Sequence, residues 1–313
     1  MNALIVGSIG IDDIETPREK ATGLLGGSAT YASISCAVHA PTRIVSVVGD
    51  DFSADQRMLL EERGIDAEGL ETAAGKTFRW GGRYLQNYDE RETTFTELNV
   101  LRSFDPKVPE SFRNSEYVLL GNTHPTVQLK VLDQLGGPEL VVIDTMNYWI
   151  NNEKQLLDEA LGRSDIAVVN EEEVRLYSGR HEITRATEAL LDLGLDAVIV
   201  KRGAYGAAMR TRDGWFFLPG YPLSEVRDPT GAGDSFAGGV LGYLASAGSI
   251  TESTLRRAVV HGSVLASFAV QGMGITGILG IAREDVMTRY REFLRFSQME
   301  TEVAKAAGEG AIA

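Results

Sequence analysis

Short apolar runs rich in β-branched residues recur along the chain, and each stops at glycine or at polar residues. Residues 3–6 end in Gly7, 44–48 in Gly49-Asp50-Asp51, and 117–120 in Gly121-Asn122. Residues 140–143 end in Asp144-Thr145, 166–169 in Asn170-Glu171, and 197–200 in Lys201-Arg202-Gly203. Consecutive apolar positions mean burial on both faces, and the intervals leave room for a helix between runs. This pattern predicts a parallel sheet covered on both sides. Helices are predicted over 28–39, over 53–63 with Gly64 as its stop, and over 184–193 before Gly194. Three more, over 234–247, 252–270 and 283–296, make a helical block near the C-terminus.

Between 76 and 98 the rhythm changes to near-alternation with aromatics. Phe78, Trp80 and Tyr84 precede a polar turn, Tyr88-Asp89-Glu90-Arg91, and a second run over 93–98. This predicts an antiparallel hairpin whose even spacing sets the three rings on one face. A hairpin alone has too little core to be stable in water. It therefore packs on substrate, on the main domain or on a second subunit's lid. Residues 11–24 are expected to add one strand. The expected organisation is a core of 1–10, 25–70 and 101–300, a discontinuous β lid of 11–24 with 71–100, and a frayed tail over 301–313. A homodimer through the lids is expected, with a lid that orders when substrate binds.

Of 313 residues, 43% are hydrophobic and 24% charged, which excludes a disordered chain, a collagen-like repeat and a coiled coil. Lys and Arg number 30 and Asp and Glu 44, a formal charge of −14. That balance argues against a nucleic-acid partner, which needs a basic face, but not against a small anion held by loop amides. The single cysteine, Cys36, excludes an intrachain disulfide and reads as a buried small residue. No apolar stretch reaches about 18 residues, so no membrane association is expected and the expected location is cytoplasmic. Residues 69–77 imitate a phosphate-binding P-loop, but five residues separate Gly69 from Gly75 and the stretch leads into a hairpin. Gly7-Ser8-Ile9-Gly10 is too short for a dinucleotide fingerprint, and the 4 histidines show no zinc spacing.

The most informative stretch is Asp228-Pro229-Thr230-Gly231-Ala232-Gly233-Asp234. Pro229 blocks a helix before it, Gly231 and Gly233 allow a tight turn, and Phe236, Val240, Tyr243 and Leu244 then fall on one helical stripe. A helix N-terminus offers free amides and a positive dipole end, which suits an anion. A carboxylate beside an anion site repels phosphate, so Asp234 makes sense facing an attacking hydroxyl, whose proton it would take. The plainer alternative is an acid that matches the helix dipole.

Asp-x-Thr-Gly-Ala-Gly-Asp before a small-residue helix resembles the signature of the ribokinase-like, or PfkB, family of carbohydrate kinases. Gly26-Gly27-Ser28-Ala29-Thr30-Tyr31-Ala32 is similar to its double-glycine sugar motif, Asp12 stands where its substrate aspartate does, and Asn170-Glu171-Glu172-Glu173 matches its Asn-x-x-Glu motif. The resemblance covers nearly the whole chain. It implies a ribokinase-like three-layer α/β/α domain with a mostly parallel central sheet and a β-sheet lid, transferring the γ-phosphoryl of ATP to a hydroxyl of a sugar or polyol. It implies Asp234 as base, with Gly231, Ala232 and Gly233 as the anion hole. It implies Asn170 and Glu173 acting through magnesium and water, and Asp228 and Thr230 near a monovalent cation such as potassium. Lys201, Gly203 and Gly206 would border the nucleotide. His261 would face adenine, or be a satisfied helix histidine.

The chain departs from ribokinase at Ser28 and Tyr31, where the ribose motif carries polar residues, and at Asn122, where a carboxylate is expected. Arg79, Trp80, Tyr148 and Trp149 would then line a site for a bulkier or less hydroxylated ligand, unless they serve packing. A nucleoside kinase of the same fold is the runner-up, and a non-catalytic sugar or nucleotide binder the third reading.

Overall fold

The computed structural model describes residues 1–86, 88 and 90–297. The turn residue Asp89 and the tail over 301–313 lie outside the described residues.

From the N-terminus, β1 (Ala3–Val6) runs into a hairpin of β2 (Gly10–Glu15) and β3 (Lys20–Gly26). Next come α1 (Ser28–Ala37), β4 (Thr42–Gly49), α2 (Ala54–Glu62) and β5 (Ile65–Ala73), then a second hairpin of β6 (Phe78–Tyr84) and β7 (Arg91–Glu97). Alternation follows: β8 (Tyr117–Leu120), α3 (Pro125–Leu132), β9 (Leu140–Asp144), α4 (Asn147–Asn152), α5 (Lys154–Gly162), β10 (Ile166–Asn170), α6 (Glu171–Ser178), α7 (Ile183–Leu191) and β11 (Ala197–Lys201). A third hairpin, β12 (Ala207–Thr211) and β13 (Trp215–Leu218), precedes α8 (Ala232–Ala247), α9 (Glu252–Ala269), α10 (Thr276–Leu279) and α11 (Arg283–Ser297).

The large sheet has nine strands in the order β13-β12-β11-β10-β9-β8-β1-β4-β5. From β11 to β5 every pair is parallel, and only the β12–β13 edge is antiparallel. Successive strand residues feed two cores. Ala3 and Ile5 join α1, α8, α9 and α11 on one face, while Leu4 and Val6 join α3, α5, α6 and α7 on the other. The two cores make three layers, as the sequence predicts.

The lid is a four-stranded sheet, β3-β2-β6-β7, in which the two hairpins meet through a parallel β2–β6 pair. Residues 11–24 supply two strands, not one, because Pro17 sits in a turn closed by Thr16 N–H donating to the Glu19 carbonyl at 2.8 Å. The large sheet keeps the chain as far as Ala73, which registers with Gly49. Gly69, the first glycine of the P-loop imitation, belongs to that strand, where a Cβ would fall 2.5 Å from the Ile44 carbonyl oxygen. Strands β5, β12 and β13 escaped the sequence reading. Asp66, Glu68 and Glu71 break the apolar run in β5, and the β12–β13 hairpin is betrayed only by Asp213-Gly214.

The two lid faces differ. The outer one carries a ladder of ion pairs, Asp13–Arg79 at 3.2 Å, Glu15–Arg83 at 2.9 Å and Glu15–Lys20 at 3.1 Å. The inner face sets Ile14 and Tyr84 against Met273 of the main domain, with Trp80 and Leu24 beside them. At the hinge the Asp51 carboxylate accepts from both the amide and the hydroxyl of Thr77, at 2.7 and 2.6 Å. Among the described residues no helix is long and apolar enough to cross a membrane.

Candidate active site

The anion loop precedes α8. Gly231 takes φ of 72°, a left-handed conformation that favours glycine, and a Cβ there would strike the Tyr31 ring at 2.3 Å. Gly238 and Gly242 let α8 lie directly on α1, since Cβ atoms there would fall 2.1 and 2.7 Å from the carbonyls of Ala32 and Cys36. That contact fixes the double-glycine motif, at the head of α1, beside the anion loop, at the head of α8. The Ala232 amide donates to the Pro229 carbonyl at 3.2 Å and the Ser235 amide to the Gly231 carbonyl at 2.8 Å, and a helix N-terminus offers its remaining free amides to an anion. Burial, and then the Asp144 carboxylate, push Asp234 up to about 6, while Lys201 opposes them.

Beneath the loop lies a charge cluster assembled by the strand ends. The Lys201 ammonium, at the end of β11, donates to both oxygens of Asp144, at the end of β9, at 3.1 and 3.2 Å. The same ammonium would stand 3.2 Å from a Cβ at Gly233. Burial works against the Lys201 charge, but Asp144, Glu173 and Asp234 outweigh it and hold its pKa above the ordinary lysine value. Asn170 and Glu173 form a capping box on α6. The Asn170 side chain accepts from the Glu173 amide at 2.8 Å, and the Glu173 carboxylate accepts from the Asn170 amide at 2.7 Å. Burial pushes Glu173 up to about 7 despite Lys201.

On the acceptor side, Asp12 is buried in β2, and burial, followed by Asp228 and Asp234, lifts it to about 7. The double glycine is required by close passage of the chain. A Cβ at Gly26 would overlap the Asp12 carboxylate at 1.9 Å, and one at Gly27, with φ of 92°, would meet the Ser8 carbonyl at 2.5 Å. The Ser28 hydroxyl donates to the Asn122 carbonyl at 3.1 Å. The side-chain oxygen of Asn122 accepts the Trp149 indole N–H at 2.9 Å. Trp149 in turn packs edge-on to Tyr148 and His124, with centroids 4.9 and 5.0 Å away. Tyr31 is buried under the anion loop, its hydroxyl without a partner among the described residues.

The lid closes over this floor. The Tyr84 hydroxyl is 3.0 Å from that of Thr230. Arg91, opposite Tyr84 in register, lays its guanidinium over Trp80 at 5.0 Å and lowers the Asp234 pKa. Asp228 is fully buried, and its two oxygens accept from the amides of Thr230 and Gly274, each at 2.8 Å. A buried carboxylate held by neutral donors is a fitting oxygen ligand for a monovalent cation.

The structure thus gathers Asp12, Gly26, Gly27, Ser28, Tyr31, Trp80, Asn122, Asn170, Glu173, Lys201, Asp228, Thr230 and Asp234 with the anion loop. Two expected residues stand elsewhere. The pleat sends Arg79 to the outer lid face, with Asp13. His261 sits in the helical layer, stacked between Tyr243 and Tyr290 at 4.2 and 4.8 Å and edge-on to His39 at 4.8 Å. Gly203 and Gly206 flank a tight turn after β11, where a Cβ at Gly206 would fall 2.1 Å from the Leu218 carbonyl. Three residues were missed. Asp144 reads as a strand terminator and Arg91 as a turn residue. Tyr84 carried only a signal for its face.

Comparison with known proteins identifies similar chains. The profile of the pfkB family carbohydrate kinases matches residues 22–279. The cytidine kinase of Thermococcus kodakarensis is 28% identical over 252 residues, spanning 78% of this chain and 88% of that protein. The aminoimidazole riboside kinase of Salmonella typhimurium is 33% identical over 285 residues, spanning 86% and 89%. The crystal structure of the nucleoside kinase of Methanocaldococcus jannaschii, an archaeal member of the ribokinase family, superposes with a TM-score of 0.75 at 23% identity, covering 93% of this chain and 98% of that one.

Proposed function

Because the chain belongs to the pfkB family of carbohydrate kinases, and is therefore a phosphotransferase with a hydroxyl acceptor, we propose that it phosphorylates a nucleoside at a ribosyl hydroxyl with ATP as donor. The observation that carries the chemistry is Asp234 in the first turn of α8, directly after the Gly231-Ala232-Gly233 amides. In this reading Asp234 takes the proton of the acceptor hydroxyl. The hydroxyl oxygen then bonds to the γ-phosphorus, the bond from that phosphorus to the bridging oxygen breaks, and ADP leaves. The loop amides hold the charge spread over the transferred group, and Arg91 adds a cation from the lid side. Asp12 orients the acceptor sugar.

The nucleoside reading rests on the aromatic groups at the acceptor end, Trp149 held by Asn122 with His124 and Tyr148 around it, and Trp80 in the lid. Flat rings suit a base better than they suit a polyol. Relatives named for cytidine, aminoimidazole riboside and nucleosides support it. A free sugar as acceptor is the second reading, favoured by the kinship with a fructokinase.

Among the described residues no cluster of three or more metal-ligating side chains exists, and one Glu173 oxygen is committed to the Asn170 amide. The residues therefore fit a magnesium ion held through water by Asn170 and Glu173, which when bound neutralises phosphate charge. Potassium would bind at Asp228 and Thr230.

A panel of nucleosides and free sugars, assayed with ATP and magnesium, tests the reading. The best nucleoside should exceed ribose and fructose in kcat/KM by at least about 100-fold, roughly 2.7 kcal/mol. Preference for a free sugar overturns the nucleoside assignment, and Asp234→Asn with more than half the parent kcat overturns the base.

A further inference from the structure

Among the described residues the lid meets the anion loop through a pair of hydroxyls. Arg91 lies opposite Tyr84 in register, with its guanidinium over the Trp80 ring at 5.0 Å. The Tyr84 hydroxyl lies 3.0 Å from that of Thr230, and either can donate. The Asp228 carboxylate can only accept, and it takes the amide of Thr230 at 2.8 Å. Tyr84, Thr230 and Asp228 thus form one hydrogen-bonded run from the lid strand into the start of the anion loop. It is buried along its middle. Thr230 directly precedes Gly231, so its orientation sets the entry to the loop whose amides face the transferred group.

We propose that Tyr84 is a positioning residue that couples lid closure to assembly of the anion loop, so that the loop takes its working shape only with the lid down. The proposal rests on the kinase reading of this site and specifies how that site is gated. An open lid breaks the Tyr84–Thr230 hydrogen bond and frees the loop entry. ATP bound without an acceptor then meets an incomplete anion hole and is spared wasteful hydrolysis.

The test compares Tyr84→Phe, Thr230→Val, the double variant and Thr230→Ser in the full chain. Amide hydrogen exchange is measured first, since it needs no substrate. Tyr84→Phe, which keeps the ring, should speed exchange in residues 78–97 and in residues 228–233 together, by about 10-fold or more. Faster exchange in the lid alone overturns the coupling. In kinetics, Tyr84→Phe should lower kcat by about 10-fold with the acceptor KM changed by less than about 2-fold. The double variant should fall no further than either single one, and Thr230→Ser, which keeps the hydroxyl, should lose less than Thr230→Val. Additive losses, or a parental kcat in Tyr84→Phe, overturn the proposal. If Tyr84→Phe is parental while Asp234→Asn is dead, the latch fails and the kinase reading stands. If the parent phosphorylates nothing, the kinase reading fails while the exchange result still decides the coupling.

Discussion

Replacing Lys201 by Met keeps the length of the side chain and removes the charge that holds the floor of the site together. Asp144 then remains buried without its partner. At the observed 3.1 Å and an effective dielectric near 20, Coulomb attraction within the pair is about 5 kcal/mol. Breaking a buried pair from one side costs on the order of 3–5 kcal/mol, a large share of the 5–15 kcal/mol typical of a whole domain. With a urea m value of about 2.5 kcal/mol/M, the midpoint should fall by roughly 1–2 M. The sign with pH is fixed. Without Lys201 the folded pKa of Asp144 rises further above its unfolded value, so the folded state holds more protons than the unfolded one between the two pKa values. The penalty is therefore complete at pH 8 and shrinks as pH falls, and the gap between the two urea midpoints should be smaller at pH 5. Lys201→Met with Asp144→Asn, which removes the orphaned charge, should recover most of the lost stability without recovering activity, because Lys201 also steadies Asp234. The decisive assay is urea unfolding at pH 5 and pH 8 for parent, single and double variants. A single variant with an unshifted midpoint, or one whose deficit grows as pH falls, would refute the reasoning.

Three further outcomes follow from the same geometry. Asp234 must be ionised to accept a proton and its pKa stands near 6, so kcat should fall as pH drops through about 6, and an acid limb below pH 5 removes the assigned environment. Burial depresses His39 to about 4 and His261 to about 3, so below about pH 6.5 the unfolded chain takes protons that the folded one refuses. Stability should then drop by up to about 1.4 kcal/mol per pH unit per histidine between pH 6 and 4, and His261→Phe should flatten that slope in thermal melts. A lid-to-lid dimer would meet through the Asp13–Arg79 and Glu15–Arg83 ladder, so its dissociation constant should rise at least about 10-fold between 50 and 500 mM salt by sedimentation. A monomer at low salt, or a salt-indifferent dimer, removes that interface.

What was legible in the chain is what repeats locally. The six apolar runs ending at glycine or polar residues became strands because both faces of a parallel sheet are buried, leaving no alternation to confuse the reading. The anion loop was legible because Pro229, Gly231 and Gly233 constrain the backbone whatever surrounds them. The Asn170–Glu173 motif was legible through the family resemblance, and in the structure the same two residues cap α6. Asp144 was not legible. Its partner is 57 residues away, and only the adjacency of β9, β10 and β11 brings the two together. Arg91 was hidden for the same reason, as its value comes from lying opposite Tyr84 and over Trp80. For His261 the sequence offset from the signature gives a position along α9 but not the side of the helix, and that side faces His39 and two tyrosines.

The parallel seam of the lid has a consequence for the order in which the molecule is made. Gly10 registers with Phe78, so the seam joins segments separated by more than sixty residues. The first leaves the sheet at β1 and the second at β5, with β4 between them. Closing so long a chain segment is entropically costly unless something else has already brought its ends together. Here β1, β4 and β5 do that, and the Asp51–Thr77 clamp aims the second hairpin. The lid is thus a late product of folding, zipped on a finished scaffold. A ribosome-bound chain that stops before β6 would carry the β2–β3 hairpin with nothing to pair it. Asp12 on that hairpin would meet Asp228 and Asp234 only after the C-terminal helices had been synthesised.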